Sequence, residues 1–322
     1  MTHRPSSRCQ RGAALLMAML TVAMVASLAA GSLWQQWRSV EVESAERARV
    51  QSLWVLTGAL DWARLILRED ARTGGADHLA EPWAVPLQEA RLSTFLATDK
   101  NSPVDSDTMT QTFLSGQVTD LQSRLNVRNL VDNGKVSDSA LHAFAKLFEK
   151  LQLPAGELTA LAENLRFSLD ANPDNRSAPL APLLPQRVSQ LSWLGLSNKS
   201  LIVLMPYITL LPSATPVNLN TADAMVLYAC IPLADMSQAQ RLVNARQTSH
   251  FRTLADAAKL LGEPSNQLMD TQHSVSTRFF EVHGRLRQDQ VTIEQRSVLQ
   301  RDAMEVKTLW RDGGPEWKPH KP

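Results

Sequence analysis

RGAALLMAMLTVAMVASLAAGSLWQQW, residues 11–37, carries no charge after Arg11, and its first half is continuously apolar. About 20 such residues suffice for a helix to cross a bilayer, so this stretch is long enough to span once. Arg4, Arg8 and Arg11 stand before it, and Arg38, Glu41 and Glu43 follow. A cationic flank stays on the cytoplasmic side, which puts the N-terminus in the cytoplasm and the body outside. The apolar rhythm does not end with the span. Ala45, Ala48, Leu53, Leu56, Leu60, Ala63 and Leu67 recur at three-to-four-residue steps with charges between them, the spacing of one helix face. No proline interrupts the chain between Ala13 and Pro82, so one helix is predicted from about Ala14 to about Arg72.

Three fates are open to this segment on its residues alone. A signal peptide would be cut near Ala29-Ala30-Gly31, although the unbroken helical pattern beyond fits that poorly. An uncleaved anchor would keep its start. A prepilin-type leader would be cut between Gly12 and Ala13, glycine offering the protease an unhindered backbone at the membrane boundary. The 322 residues allow about two domains, and a net charge of +1 gives no field that would gather nucleic acid. Cys9 and Cys230 fall on opposite sides of the span and cannot pair. Cys230, in Leu-Tyr-Ala-Cys-Ile-Pro, reads as a small buried core residue. The seven histidines form no His-Glu-x-x-His pattern, and neither Gly-x-Ser-x-Gly nor a phosphate-binding glycine loop occurs. No enzyme is expected.

Beyond the helix, Pro82, Pro86 and Pro103 mark loops with short pieces of structure, and residues 112–127 suggest one or two strands. Helices are predicted at 140–151 (N-capped by Ser137), 154–169, 187–194, 197–204, 221–229, 237–246 and 253–261, the last closed by Gly262. The tail alternates: Phe280, Val282, Gly284 and Leu286 against Glu281, His283, Arg285 and Arg287, followed by strands at 291–299 and 304–310. Met304, Val306, Thr308 and Trp310 would share one face of an antiparallel sheet with one wet side, its earlier strand lying near 113–127.

Several segments together resemble the type II secretion system protein K family of minor pseudopilins. They are Arg-Gly-Ala-Ala-Leu-Leu at 11–16, Asp-His-Leu-Ala-Glu-Pro-Trp-Ala at 77–84 and Ser-Arg-Leu-Asn-Val at 123–127. Met-Pro-Tyr-Ile-Thr-Leu-Leu-Pro at 205–212, Val-Asn-Leu-Asn-Thr-Ala at 217–222 and Thr-Arg-Phe-Phe-Glu-Val at 277–282 complete the set in the family's order. The resemblance implies an α+β chain: a leader (1–12), a transmembrane and pilin-type helix (13–72), and a small pilin-like antiparallel sheet from 73–127 and 275–312. An all-α insertion over 128–274 and a tail at 313–322 complete it. It implies cleavage by prepilin peptidase between Gly12 and Ala13, N-methylation of Ala13, and assembly with minor pseudopilins of types I and J above an inner-membrane secretion platform. The body would be periplasmic. Pilins carry a glutamate at the fifth mature position; here that position is Met17, a departure that protein K resembles, as suits a tip subunit with no neighbour above.

Two further motifs carry candidate binding chemistry. Asp170-Ala-Asn172-Pro-Asp174 has oxygen ligands at alternating positions, and the family is associated with calcium in such a loop. The family's following acidic segment is replaced here by Asn175-Arg-Ser-Ala-Pro. The stretch from 217 onward also resembles helix-hairpin-helix DNA-binding modules of competence proteins, whose Gly-x-Gly hairpin offers amides to phosphate. Ile231-Pro-Leu-Ala-Asp-Met-Ser237 has no such glycine. A membrane-tethered DNA-binding protein is the alternative reading.

Overall fold

A computed structural model describes residues 11–93, 112–170, 181–262, 268–288 and 291–313. Helix α1 runs Arg11–Thr73 without a break, and the chain divides into two compact units between Val55 and Leu56.

In the first unit the helix exposes apolar side chains all round, from Leu15 to Val42. Such a surface is stable only against lipid or a partner. Among the described residues this is the one helix long and apolar enough to cross a membrane. The hydroxyls of Thr21, Ser27 and Ser32 donate to carbonyls three or four residues back, so they can enter hydrocarbon without losing partners. Trp34 and Trp37, 5.6 Å apart by ring centroids, follow the span where an aromatic belt is favoured.

The second unit begins with the rest of α1. Strands β1 (Leu87–Arg91), β2 (Thr112–Asp120), β3 (Leu125–Asn126), β4 (Val131–Asp132) and β5 (Lys135–Val136) come next. Helices α2 (Asp138–Lys150) and α3 (Ala155–Leu169), a 3₁₀ segment at Val188–Leu194 and α4 (Asn198–Leu204) then lead to β6 (Ile208–Thr209) and β7 (Val217–Asn218). After α5 (Ala224–Cys230), α6 (Met236–Thr248) and α7 (Leu254–Leu261) come β8 (His273–Ser274), β9 (Phe279–Gln288), β10 (Val291–Asp302) and β11 (Glu305–Gly313). The main sheet is antiparallel in the order β1-β2-β9-β10-β11. β2 and β9 pair from Thr112↔Gln288 to Asp120↔Phe280, with the helical body between them in sequence. The insertion expected from the sequence is therefore a detour between two neighbouring strands. Its core takes in Leu125 and Val127 and extends through Leu261. Three two-residue strand pairs, β3-β6, β4-β5 and β7-β8, punctuate the helices.

α1 sits on one sheet face. Leu56, Leu60, Ala63 and Leu67 are buried at spacings that keep them on one side of the helix, and Leu60 and Leu67 cluster with Trp83, Phe280, Leu299 and Val306. Full burial of each leucine contributes at most about 1.5–3 kcal/mol.

The sheet departs from expectation in two ways. Its other face is not wet along its whole length: Phe279 and Val298 pack with Leu121 and with Leu211 of the inserted body. And β11 does not keep one face. Leu299 pairs with Thr308 but Val298 with Trp310, a bulge that absorbs Leu309 and flips the alternation. Val306 joins the α1 side, Trp310 packs on the Leu211 side, and Met304 is exposed in the turn. The helix predictions need smaller corrections. Residues 188–194 form a 3₁₀ segment rather than an α-helix. α5 starts at Ala224 because the Asp223 carboxylate, rather than Thr221, caps it by accepting Val226 N–H. Ser137, Ser197 and Asp235 cap α2, α4 and α6.

Gly116 and Gly284 face each other across β2 and β9. A Cβ on Gly116 would lie 2.9 Å from the His283 carbonyl oxygen, and one on Gly284 would lie 3.1 Å from Leu56 Cδ2. Backbone cannot yield as a side chain can. Gly116→Ala is expected to destabilise the protein by about 1–3 kcal/mol, as overpacking does. Gly156→Ala, in open space on α3, should be neutral or stabilise by about 0.4–1 kcal/mol. Thermal unfolding of both variants checks the contrast.

Candidate functional site

Asp120 ends β2, and its carboxylate is buried, the residue 2 % exposed. Oδ2 accepts from Thr221 Oγ1 at 2.5 Å and Asn218 Nδ2 at 3.0 Å. Oδ1 accepts from Thr277 Oγ1 at 2.6 Å and Gln122 N–H at 2.7 Å. Burial pushes this carboxyl above its ordinary range, and the four hydrogen bonds offset only part of that. Among the described residues, no side-chain cation is one of its hydrogen-bond partners. The four donors come from three places in sequence: the turn after β2, the end of β7 with the turn that follows it, and the approach to β9.

The same approach joins a second cluster. Thr277 N–H donates to Asp77 Oδ2 at 2.7 Å. Arg301 of β10 donates to Asp77 Oδ1 and Asp70 Oδ2, each at 2.5 Å, and to the Thr277 carbonyl at 2.9 Å. Its guanidinium lies over the Phe280 ring, 4.9 Å from the centroid. Burial raises the Asp77 pKa against the pull of Arg301. Asn218 Nδ2 also donates to the Asp77 carbonyl at 3.1 Å, so one amide ties the two clusters together.

Around this centre the other polar side chains stitch loops. Asn220 exchanges both its amide hydrogen bonds with the backbone of Phe251. Asn126 binds Ser213, Thr215 and Leu211, and Asn129 exchanges two bonds with the Thr215 backbone. Gln122 reaches Pro216 and accepts from Arg278 N–H. The arrangement binds β2, β9, β10 and the end of α1 to the inserted helical body. What it can do chemically is hold two substructures in a fixed relation.

Asp70, Asp77 and Glu81 bring ligand oxygens within 4.8 Å of one another, the donor set of a divalent cation. Arg301 already bridges Asp70 and Asp77. Glu81 Oε2 accepts from His78 N–H and Trp83 Nε1–H, and burial pushes its carboxyl up to about 7. The cluster works as an internal ion pair with a neutralisable carboxyl beside it. His78 stacks on His250, ring centroids 3.8 Å apart.

The residues singled out from sequence lie elsewhere. Gly12 falls inside α1, and Ala13 and Met17 are exposed on it in the first unit. Asp170 is the exposed C-cap of α3, while Asn172 and Asp174 lie outside the described residues. Cys230 is buried, and desolvation pushes its thiol up to about 12, which makes it inert. Asp235 caps α6. Sequence reasoning missed Asp120 and Arg301, whose only signals were a charge at a strand end and a charge within an otherwise strand-like run.

Five of the six quoted motifs (77–84, 123–127, 205–212, 217–222 and 277–282) supply residues to this network. Two family models described as type II secretion system, protein K match residues 123–213 and 217–276. A curated relative, type II secretion system protein K of Pseudomonas aeruginosa, is 30% identical over 297 residues, covering 85% of this chain and 84% of the relative. The chain belongs to the type II secretion system protein K family. Relatives of the same name in Pectobacterium carotovorum subsp. carotovorum and Klebsiella pneumoniae are 27% and 26% identical, over 95% and 98% of this chain and 97% and 99% of their own lengths. A solved structure, the GspK-GspI-GspJ complex of the enterotoxigenic Escherichia coli Type 2 Secretion System, contains a chain that matches with a TM-score of 0.63 at 19% identity. That match covers 84% of this chain and 99% of the other, and it shows a shared fold for the family member.

Glu81 has a folded pKa raised from 4.5 to about 7. Its contribution is therefore fully present below about 4.5 and lost as pH rises through about 7. Burial lowers the pKa of His273, which accepts Met269 N–H at Nδ1 and lies 3.2 Å from the Cys230 carbonyl at Nε2; its contribution is present above about 6.5 and lost on acidification. In Glu81→Gln, whose amide oxygen can accept both hydrogen bonds, the unfolding midpoint is expected to decline less steeply with rising pH than the parent's, Asp77 and Asp120 being raised in both proteins, while the His273 loss on acidification is kept. Thermal scans across these pH values check the sign.

Proposed function

We propose that this chain is a non-enzymatic minor pseudopilin at the tip of a type II secretion pseudopilus, supporting export of folded proteins across the outer membrane. The observation that carries the reading is α1 itself. One uninterrupted 63-residue helix is lipid-compatible in its first part and, from Leu56 on, supplies the leucines that a small antiparallel sheet buries. A cleaved signal peptide would have no reason to continue in register into a folded domain. An anchor that is also a packing element suits a subunit extracted from the membrane into a filament.

The complex that contains the matching chain names GspI and GspJ beside GspK, which supports minor pseudopilins of types I and J as partners. The same reading makes prepilin peptidase and the inner-membrane platform partners and places the body in the periplasm. Met17 at the fifth mature position fits a subunit with no neighbour above: an unpaired carboxylate there would face hydrocarbon at a cost of several kcal/mol. Calcium at Asp170, Asn172 and Asp174 belongs to the reading as a proposal, to be tested by calorimetry. The DNA-binding alternative is disfavoured because the turn between α5 and α6 lacks glycine.

Mass spectrometry of the N-terminus of the mature protein, made together with its peptidase, tests the proposal. N-methylated Ala13 is expected. A chain that starts at Met1, or near Ser32, would overturn it.

A further inference from the structure

The turn between α5 and α6 has a polarity opposite to that of a phosphate-binding hairpin. Three of its amides are spent: Ile231 N–H donates to Leu227 O, Ala234 N–H to Ile231 O, and Asp235 N–H to Gln238 Oε1, while Pro232 has none. Its carbonyls point together instead. Helix ends leave carbonyls without intrahelical partners and carry partial negative charge, and α5 ends here at Cys230.

One side chain of α2 meets them. Lys146 Nζ lies 2.8 Å from the carbonyl oxygen of Ile231, 3.2 Å from that of Pro232 and 3.2 Å from that of Ala234. The face of Tyr228 closes a further side, 4.5 Å from the same nitrogen, a favourable placement for a cation. Three N–H donors on an ammonium thus find three acceptors. Three carbonyl oxygens about 3 Å from one centre, with an aromatic face beside them, form the coordination shell of a large, weakly hydrated monovalent cation, where carbonyl dipoles replace hydration water.

We infer that the turn at residues 231–234 is a monovalent-cation site whose resident occupant is the chain's own Lys146 ammonium, and that the site accepts free potassium or ammonium when Lys146 is removed. Lys146 is then a positioning residue that fixes the turn between α5 and α6, and the turn repels rather than attracts phosphate. This holds whether or not the chain acts in a pseudopilus.

The test uses the full-length protein in detergent. Lys146→Ala should unfold at a lower temperature than the parent, and 0.3 M KCl or NH4Cl should raise its midpoint by about 2–4 °C over equimolar LiCl or tetramethylammonium chloride. The parent should show no such difference among the four salts. Equal midpoints for the variant in all four would overturn the inference. Should the variant not fold, reductive methylation of the parent decides: Lys146 should react more slowly than Lys150, which is exposed one turn away, and equal rates would overturn the inference.

Discussion

The structure turns on a buried carboxylate held by four neutral donors. Asp120 takes four hydrogen bonds from three separate segments, and each of those segments belongs to a different part of the chain. Unpaired in the interior, such a group would be very costly; fully bonded, it specifies a single arrangement of its donors. The sheet and the inserted helices are thereby locked at the point where the chain leaves β2 and returns to β9. The Asp70–Arg301–Asp77 cluster does the same for the end of α1 and for β10. Hydrophobic burial supplies most of the stabilisation in each core, but neither core by itself fixes the relation between them.

On the proposed reading of the chain as an assembly subunit, a loose joint between sheet and helical body would let the two slide past one another. The polar junction, with directional bonds of 2.5–3.1 Å, resists the sliding that an apolar interface tolerates.

Much of the fold was legible in sequence because its signals are periodic. The spacing of Leu56, Leu60, Ala63 and Leu67 announces the packed half of α1, and the alternation from Phe280 to Leu286 announces β9. The run of charge-free residues after Arg11 announces the span. Ser137 and Thr253 mark helix starts by chemistry that acts within four residues. What escaped was set at long range. The bulge at Leu309 depends on the register of β10 against β11, and the covering of Phe279 and Val298 depends on where Leu211 arrives. Asp120 and Arg301 gave no local pattern, since their side-chain partners stand 98, 101 and 157, or 224 and 231, residues away. The six motifs pointed at the junction only through resemblance, because polar residues such as Asn218 and Thr221 look like ordinary loop residues until Asp120 is placed among them.

Native-state hydrogen exchange on the full-length protein in detergent measures the central claim most directly, by comparing amides of β9 and β10 with those of α2 and α3. Both sets should open with one shared free energy in the parent, and Asp120→Ala, which strands buried donors, should lower both together by about 1–3 kcal/mol for each donor left unsatisfied. Protection that falls in the sheet while the helical body keeps its full value would contradict the claim that this junction joins them into one cooperative unit.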